Sequence, residues 1–308
     1  MENQLKDTKK LSFVQAMAWI VGSSFLVSVC CHHLFHHVVF PPPSKRAHHP
    51  ETIQSIIQTS VQKEALKSEY LLELMRLSRN YPLLSKAFDP KVAEYLLLQS
   101  PLIQEAHVKM LGPSSVYVDY TVRQPIAWLS DYENIAMDKE GFIFPVYPFF
   151  SPKNLPEIIM GLPAFATRAS LPQLPLATWN RPLQGKAVDL ALEILQVVQP
   201  YTKELFFLRR IDVSKAFENS YGKREILLIL DNAYTKKNDL QVIFPHIVRL
   251  STQNYLQELG NYLALRAQLL EQTAKDLQVE EGVSSPYRVK AKIIDLRLEQ
   301  LGFVSDGR

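Results

Sequence analysis

The sequence predicts an α+β protein: a single transmembrane helix, then a β-α-α-β-β module, then a larger strand-rich β domain with flanking helices. Three observations lead to this class. An uncharged apolar run stands near the N-terminus, and the rest of the chain alternates helical and strand-like patterns without an internal repeat. The chain is also 47% hydrophobic and 10% aromatic, which is enough for packed cores and excludes disorder or low-complexity fibres.

The composition narrows the functional classes as well. The 308 residues include 34 Lys and Arg against 31 Asp and Glu, which gives a net charge of +3. A charge this small does not indicate nucleic acid or an anionic surface as the main partner. Only 10 residues are Gly, which disfavours a glycine-rich loop that cradles phosphates.

Residues 11–31 are the predicted transmembrane helix. The run contains no charged residue, and the next charge after Lys10 is Lys45. At 1.5 Å per residue, about 20 apolar residues cross the roughly 30 Å core of a bilayer. Three lysines lie within residues 1–10, so the positive-inside rule places this tail in the cytoplasm and the bulk of the chain outside. A cleaved signal peptide is the alternative, but its apolar region is usually only about 7–15 residues long.

Residues 32–50 are predicted to be a His- and Pro-rich linker. Cys30 and Cys31 are the only cysteines, so the exported part has no thiol, as suits an oxidising compartment without disulfides. Histidines four residues apart, such as His32 and His36, could bind a metal ion on a helix. No carboxylate accompanies them and a proline run adjoins them, so we assign no metal site.

Residues 51–124 form the β-α-α-β-β module. Its predicted elements are a strand at 53–57, helices at 64–77 and 92–99, and strands at 106–110 and 116–122. Asp89 and Pro90 are a capping carboxylate and a first-turn proline for the second helix. In the last strand Val116, Val118, Tyr120 and Val122 alternate with polar residues, which indicates one core face and one polar face.

Residues 125–301 form the larger β domain, and 302–308 a C-terminal tail. The predicted elements are strands at 126–129, 135–137, 141–144, 205–213, 225–230 and 287–298, with helices at 185–199 and 252–277. Leu and Ala recur at spacings of three and four in the last helix. We interpret this stripe as packing against the sheet rather than as a coiled-coil surface.

The strand at 287–298 is predicted to lie at a sheet edge. Val289, Ala291 and Ile293 alternate with basic residues, and the phase slips by one residue at Ile293 and Ile294, which indicates a β-bulge. Lysines on one face are typical of an edge strand, whose unpaired backbone groups can be offered to a partner.

No motif for catalysis or cofactor binding is found. The sequence contains no HExxH, CxxC, GxSxG, Walker loop or dinucleotide fingerprint. Beyond the linker the histidines are His107 and His246, which we interpret as structural. We therefore predict a protein that is not an enzyme and has no cofactor.

Several segments occur in an order that resembles one known family. They are Pro101 to Val108 (PLIQEAHV), Pro113, Val122 to Ala127 (VRQPIA), Asp138 to Phe144 (DKEGFIF), Leu155 to Ile158 with Gly161-Leu162, and Ile294 to Arg297 (IDLR). Behind an anchor of this orientation, they resemble the bacterial cell-division family FtsQ/DivIB, in which the first module is a POTRA domain.

The resemblance implies a non-enzymatic scaffold of the divisome in the cytoplasmic (inner) membrane, with the bulk of the chain on the periplasmic side and located at the septum. It also implies partners: small bitopic FtsB/FtsL-type proteins, bound by strand addition at the last strand, and other divisome proteins. The implied partner-binding residues are Ile294, Asp295, Leu296, Arg297, Leu298, Glu299 and Leu301. Arg123, Pro125 and Ala127 are assigned to the junction between the POTRA-like module and the β domain, with direct partner contact by Arg123 as the alternative.

Two other functions remain open. A POTRA-containing envelope transport or assembly protein would handle unfolded chains, but the module is single and no repeated amphipathic strands follow. An anchored exported hydrolase with an unrecognised site is the third possibility, which activity on cell-wall fragments would reveal.

Overall fold

The computed structural model describes residues 15, 17–33, 52–62, 65–78, 80–81, 83–163, 179–202, 204–235, 241–276, 286–299 and 301–307. Over these ranges the fold is α+β, with two sheets and five α-helices. The chain divides into two units, residues 1–52 with 84–86 and residues 53–83 with 87–308.

The first unit contains helix α1, residues 17–33. This helix coincides with most of the predicted apolar run, while residues 11–14 and 16 lie outside the described part of the chain. Cys30 and Cys31 are exposed free thiols near its end. Among the described residues, none of the helices has both the length and the apolar character needed to cross a bilayer.

The second unit begins with the β-α-α-β-β order that the sequence predicts. Its elements are β1 (Ser55–Ser60), α2 (Ser68–Leu74), α3 (Pro90–Leu98), β2 (Ile103–Met110) and β3 (Ser115–Val122). The three strands form a sheet of order β1-β3-β2, in which β1 is parallel and β2 antiparallel to β3. The predicted alternation in β3 is confirmed, since every second side chain is buried.

Two helix ends in this region have clear local causes. Asp89 caps α3 as predicted, because its Oδ1 accepts a hydrogen bond from the Lys91 N–H at 2.9 Å and Pro90 stands in the first turn. Helix α2 is shorter than predicted. It ends at Leu74, and Arg76 just beyond it has a left-handed φ of +58°, while the Leu77 N–H donates to the Leu72 carbonyl at 2.8 Å. A glycine normally takes the position of Arg76, so this helix end has no recognisable stop signal in the sequence.

The larger sheet has ten strands in the order β13-β12-β10-β9-β8-β7-β4-β5-β6, with β11 paired to β10. The strands are β4 (Ala127–Leu129), β5 (Ile135–Met137), β6 (Ile143–Pro145), β7 (Glu157–Ile159), β8 (Phe207–Asp212), β9 (Ile226–Thr235), β10 (Gln241–Leu250), β11 (Tyr287–Arg288), β12 (Lys292–Leu298) and β13 (Leu301–Asp306). Helices α4 (Lys186–Val198) and α5 (Tyr255–Asp276) occur close to their predicted positions.

β10 is a central strand that is absent from the predicted elements. Pro245 stands in its middle, and prolines are rare in central strands. The structure explains how the proline is accommodated. Arg288 of β11 pairs with Ile243, and Lys292 of β12 pairs with His246. The chain therefore advances four residues from β11 to β12, while β10 advances only three. Pro245 therefore lies where its neighbour is interrupted by a bulge. The predicted bulge exists in this region, but between Arg288 and Lys292 rather than at Ile293-Ile294.

Among the described residues, three apolar cores stabilise the second unit. The largest lies between the large sheet and helices α4 and α5 and includes Ile194, Leu228 and Tyr262. A small one packs Leu270 of α5 against Phe244 of β10. The predicted packing of the α5 stripe against the sheet is confirmed by these two cores.

The third core lies between the small sheet and helices α2 and α3. Phe144 of β6 and Val146 directly after it also contribute to this core.

Candidate partner-binding site

The predicted partner-binding strand is not at the edge of the sheet. On one side β12 pairs in parallel with β10, and on the other side it pairs antiparallel with β13. The directly opposed residues include Ile294 with Val304 and Asp295 with Phe303. The prediction that residues 302–308 are a tail is therefore wrong for β13, which is the edge strand. This strand has no clear sequence pattern, because it is only six residues long and contains Gly302.

The seven predicted contact residues divide into three groups, which are buried, exposed or half-buried. Ile294 and Leu296 are 1% and 5% exposed and belong to the core between the sheet and its helices. Their side chains stabilise the fold and are not accessible to a partner protein. Leu298, Glu299 and Leu301 are exposed, and the two leucines are 56% and 59% accessible. These three residues keep the position that a contact with another protein requires.

Asp295 and Arg297 project from the other face of β12 and belong to an ion network. The Arg297 guanidinium donates two hydrogen bonds to the Asp295 carboxylate, at 2.9 and 2.7 Å. Arg249 of β10 lies 3.1 Å from the same carboxylate and also donates to Glu225. Arg297, one of the predicted partner-binding residues, is therefore already paired with carboxylates of its own chain.

The charges of this network shift the protonation equilibria of its members. Burial by itself would raise the pKa of Asp295, but hydrogen bonds from Arg297 and the charges of Arg297 and Arg249 outweigh it and hold the pKa below its usual value. The hydrogen bonds to Asp295 raise the pKa of Arg297. Both groups are thus charged at neutral pH, and they tie β12 to β10.

A groove of about 490 Å³ lies between α5 and the β12-β13 hairpin. Its walls include Asn261 and Leu265 from the helix and Leu298 and Leu301 from the hairpin. The side chains along β13 are exposed throughout, Phe303 at 56% and Val304 at 49%. The groove has a mixed lining, with polar side chains from α5 and leucines from both sides. An exposed strand edge beside such a groove can accept an extended amphipathic peptide through backbone hydrogen bonds.

The sequence analysis also missed residues of this surface. Phe303 and Val304 fall in the predicted tail, and the α5 residues that line the groove, such as Asn261 and Leu265, lie outside the apolar stripe and have no predicted role. The available signal was the β-favouring pair Phe303-Val304 after a possible two-residue turn. No sequence signal distinguishes the groove-facing positions of α5 from its solvated ones.

The second predicted site, at Arg123, is a buried ion pair. Arg123 is 7% exposed, and its Nη1 lies 2.8 Å from Oδ2 of Asp138, which is 5% exposed. The guanidinium carbon lies 3.7 Å from the centre of the Phe142 ring. Within the described part of the chain, the Nε atom of Arg123 has no hydrogen-bond partner.

Asp138 connects this ion pair to the turn between β5 and β6. Its Oδ1 accepts hydrogen bonds from the N–H groups of Glu140 and Phe142, both at 2.9 Å. Gly141 completes the turn with a φ of +84°, a backbone conformation that residues with a Cβ rarely adopt. Arg123 follows β3 directly, and its own N–H bonds to the Leu102 carbonyl at 2.9 Å. The pair therefore joins the small sheet to a turn of the large one.

Pro125 and Ala127, the other two predicted junction residues, are buried beside this pair. Ala127 begins β4 and lies opposite Met137 of β5. The three residues thus lie together in the short connection from β3 to β4, in the position that the sequence analysis assigned to the junction.

A separate buried polar cluster surrounds His246. The His246 ring is 1% exposed, and its Nδ1 lies 3.0 Å from the Tyr262 hydroxyl of α5. Asn232 of β9 bonds to the Phe244 carbonyl at 3.1 Å and accepts from Arg266 Nε at 2.6 Å. Among the described residues the other ring nitrogen, Nε2, has no partner. The interpretation of His246 as structural agrees with this geometry, although only one ring nitrogen is satisfied.

Burial controls the protonation of this cluster. It lowers the pKa of His246 from 6.5 to about 4, and the charges of Arg266 and Lys292 act in the same direction. Burial also raises the pKa of Tyr262 to about 12. Both side chains are therefore neutral at pH 7. The other histidine beyond the linker, His107, is exposed and lies 3.4 Å from Glu94.

In comparisons with known proteins, no family model matches the chain and no curated protein is significantly similar to it.

Proposed function

We propose that this protein is a membrane-anchored, non-enzymatic scaffold of the bacterial divisome, of the FtsQ/DivIB type. In this proposal residues 11–31 anchor the chain with residues 1–10 in the cytoplasm. The remainder lies outside the cytoplasmic membrane at the division site. The motif order in the sequence supports the proposal, together with the β-α-α-β-β order that precedes the large sheet.

The observation that carries the proposal is the sheet edge formed by the β12-β13 hairpin. Natural edge strands are usually protected by charges, prolines or bulges that prevent pairing with other chains. β13 has neither Lys nor Pro, and Asp306 at its end is its one charged residue. Such an edge, beside the groove lined by Leu298 and Leu301, is suited to strand addition by an FtsB/FtsL-type partner.

The Arg123–Asp138 pair supports a scaffold rather than an enzyme. It gives the small sheet and the large one a specific, buried connection at the end of β3. A rigid connection of this kind holds two binding modules at a fixed spacing, as a protein that links several partners requires. The outer face of the small sheet would then dock other divisome proteins.

Depletion of the protein from its native bacterium tests the function. Cells that lose a divisome scaffold continue to grow and become filaments, and a plasmid-borne copy should restore division. A fluorescent fusion of the full chain should gather at midcell before constriction. Normal division after complete depletion would refute the proposal.

Affinity capture of the full chain from native membranes tests the partner class and the site. We expect small single-span division proteins to be recovered with the parent chain and to be reduced at least tenfold with Leu298→Asp, because a carboxylate would be desolvated in the groove. Leu111→Asp is the matched control, since Leu111 is also an exposed leucine but lies in the β2-β3 turn. Equal loss with both variants, or with neither, would reject the assignment of the site.

A further inference from the structure

We infer that β13 is an exchangeable strand, which covers the binding edge of β12 in the resting protein and is replaced by a strand of the partner. This inference rests on the proposed function and changes one part of it: the partner strand pairs with β12 in place of β13, rather than adding to the outer edge of β13. The protein then has two states, one in which β13 is paired with β12 and one in which the edge of β12 is open. The partner's affinity depends on how often the second state is populated.

β13 is held in the sheet by few buried contacts. All six residues of β13 are exposed, so the strand buries little apolar surface in its present position. Its pairing with β12 is also irregular, because the register shifts between Asp295 and Leu298. Segments with few buried contacts open at low free-energy cost while the rest of the fold stays intact.

β12 itself is firmly held by the rest of the sheet and its core. Ile294 and Leu296 are buried in the main core, and Asp295 is paired with Arg249 of β10. β13 adds only Gly302 beside the end of the Leu296 side chain. When β13 leaves, β12 therefore stays in the sheet and presents its backbone groups along a prepared edge.

The groove also indicates the chemistry of the replacing strand. Leu301 of β13 lines the groove, but the next residue, Gly302, lies beside it without a side chain. Among the described residues other than its chain neighbours, a Cβ built at Gly302 would have one neighbour within 4 Å, the Leu296 Cδ2 at 3.1 Å. That neighbour is the end of a flexible side chain and can shift. An extended segment with a leucine-sized side chain at this position would fill apolar space that β13 leaves open. The occupant is thus an amphipathic β-strand with an apolar residue facing the groove.

A peptide with the sequence of residues 299–307 (EQLGFVSDG) tests the exchange without any division protein. Its binding to the full chain in detergent micelles is compared, by fluorescence anisotropy, with binding to a chain that ends at Glu299. We expect the shortened chain to bind at least about tenfold more tightly, which corresponds to β13 being paired for about nine-tenths of the time in the intact chain. A peptide with leucine in place of Gly302 should bind several-fold more tightly still, and weaker binding would reject the groove as part of the site.

A reversible lock keeps the test valid if the shortened chain does not fold. Ile293→Cys with Ser305→Cys, in a chain carrying Cys30→Ser and Cys31→Ser, joins directly opposed residues of β12 and β13. The oxidised protein should not bind the peptide, and reduction should restore binding. The matched control is Lys109→Cys with Tyr117→Cys, an opposed pair in β2 and β3 whose oxidation should change nothing.

The outcomes separate the two proposals. Equal peptide binding by the locked and reduced forms would overturn the exchange, because the peptide would then use another surface. Strand exchange in a protein whose depletion leaves division normal would refute the division function and keep the exchange. Filamentation on depletion with no peptide binding by the reduced or shortened chain would have the opposite meaning.

Discussion

Acid should destabilise this protein through a single buried histidine. In the folded chain burial lowers the pKa of His246 to about 4, whereas an exposed imidazole in the unfolded chain has a pKa of 6.5. Above pH 6.5 neither state holds the proton, and the histidine adds no pH dependence. As the pH falls below 6.5, His246 becomes protonated in the unfolded state but stays neutral in the folded state. Proton binding therefore favours the unfolded state, and the free energy of unfolding decreases until about pH 4.

The magnitude follows from the shift. A difference of about 2.5 pKa units corresponds to a loss of about 3 kcal/mol between pH 6.5 and pH 4. This is a large share of the roughly 5–15 kcal/mol that stabilises a typical domain. The source of the penalty is visible in the structure, because Arg266 of α5 and Lys292 of β12 repel an added positive charge and Nε2 has no acceptor among the described residues.

His246→Asn isolates this effect, since an amide can keep the hydrogen bond to Tyr262 and does not titrate. Urea unfolding of the full chain in detergent, followed by tryptophan fluorescence at several values between pH 4 and pH 7.5, gives the free energy of unfolding. The variant should be less stable at pH 7 because of the cavity, but its stability should fall less steeply with acid. His107→Asn is the matched control, because it makes the same substitution at an exposed histidine. Parallel pH profiles for the parent and His246→Asn would refute the reasoning.

Three further substitutions test other parts of the fold. Arg123→Leu should lower the free energy of unfolding by about 3–5 kcal/mol, measured by urea unfolding, because it leaves the Asp138 carboxylate buried without its counter-ion. Asp89→Ala should cost about 1 kcal/mol by removing the cap of α3, and Asp89→Ser should recover most of it in thermal melts. Gly260→Ala should stabilise α5 by about 0.5–1 kcal/mol, since the site is helical and has open space for a methyl group.

Each of these predictions has a matched comparison. Arg181→Leu removes an exposed arginine and should change stability little. Gly161→Ala should destabilise where Gly260→Ala stabilises, because Gly161 has a φ of +70° and a Cβ there would lie 3.1 Å from that of Ser214. A stabilising Gly161→Ala would contradict the role assigned to its backbone conformation.

Elements with a long or regular pattern could be predicted from the sequence, and elements that depend on their neighbours could not. The alternation in β3, the apolar stripe in α5 and the Asp89-Pro90 start of α3 are local signals, and all three are confirmed. β10 was missed because the acceptability of Pro245 depends on a bulge some 45 residues later in the chain. β7 has only three residues and no period that could be recognised.

For the two predicted sites, the positions of the residues along the chain could be predicted, but their contacts could not. Arg123 was assigned to the junction from its position before Pro125, but its partner Asp138 could not be identified by spacing alone. Arg297 was expected at a binding surface and is instead held by Asp295. The ions that surround Arg297 follow from the register of β12 against β10, because that register places Asp295 opposite Arg249. β10 is the strand that could not be predicted.

The parallel pairing of β10 and β12 has a consequence for when the binding edge can exist. Parallel neighbours cannot be joined by a tight turn, and here the connection between them contains the 22 residues of α5. Closing so long a loop delays this pairing relative to the antiparallel β9-β10 contact. We therefore expect β12 and its edge to form after the β9-β10 hairpin. A partner strand that pairs with this edge would then bind only molecules in which β9, β10 and β12 are already paired.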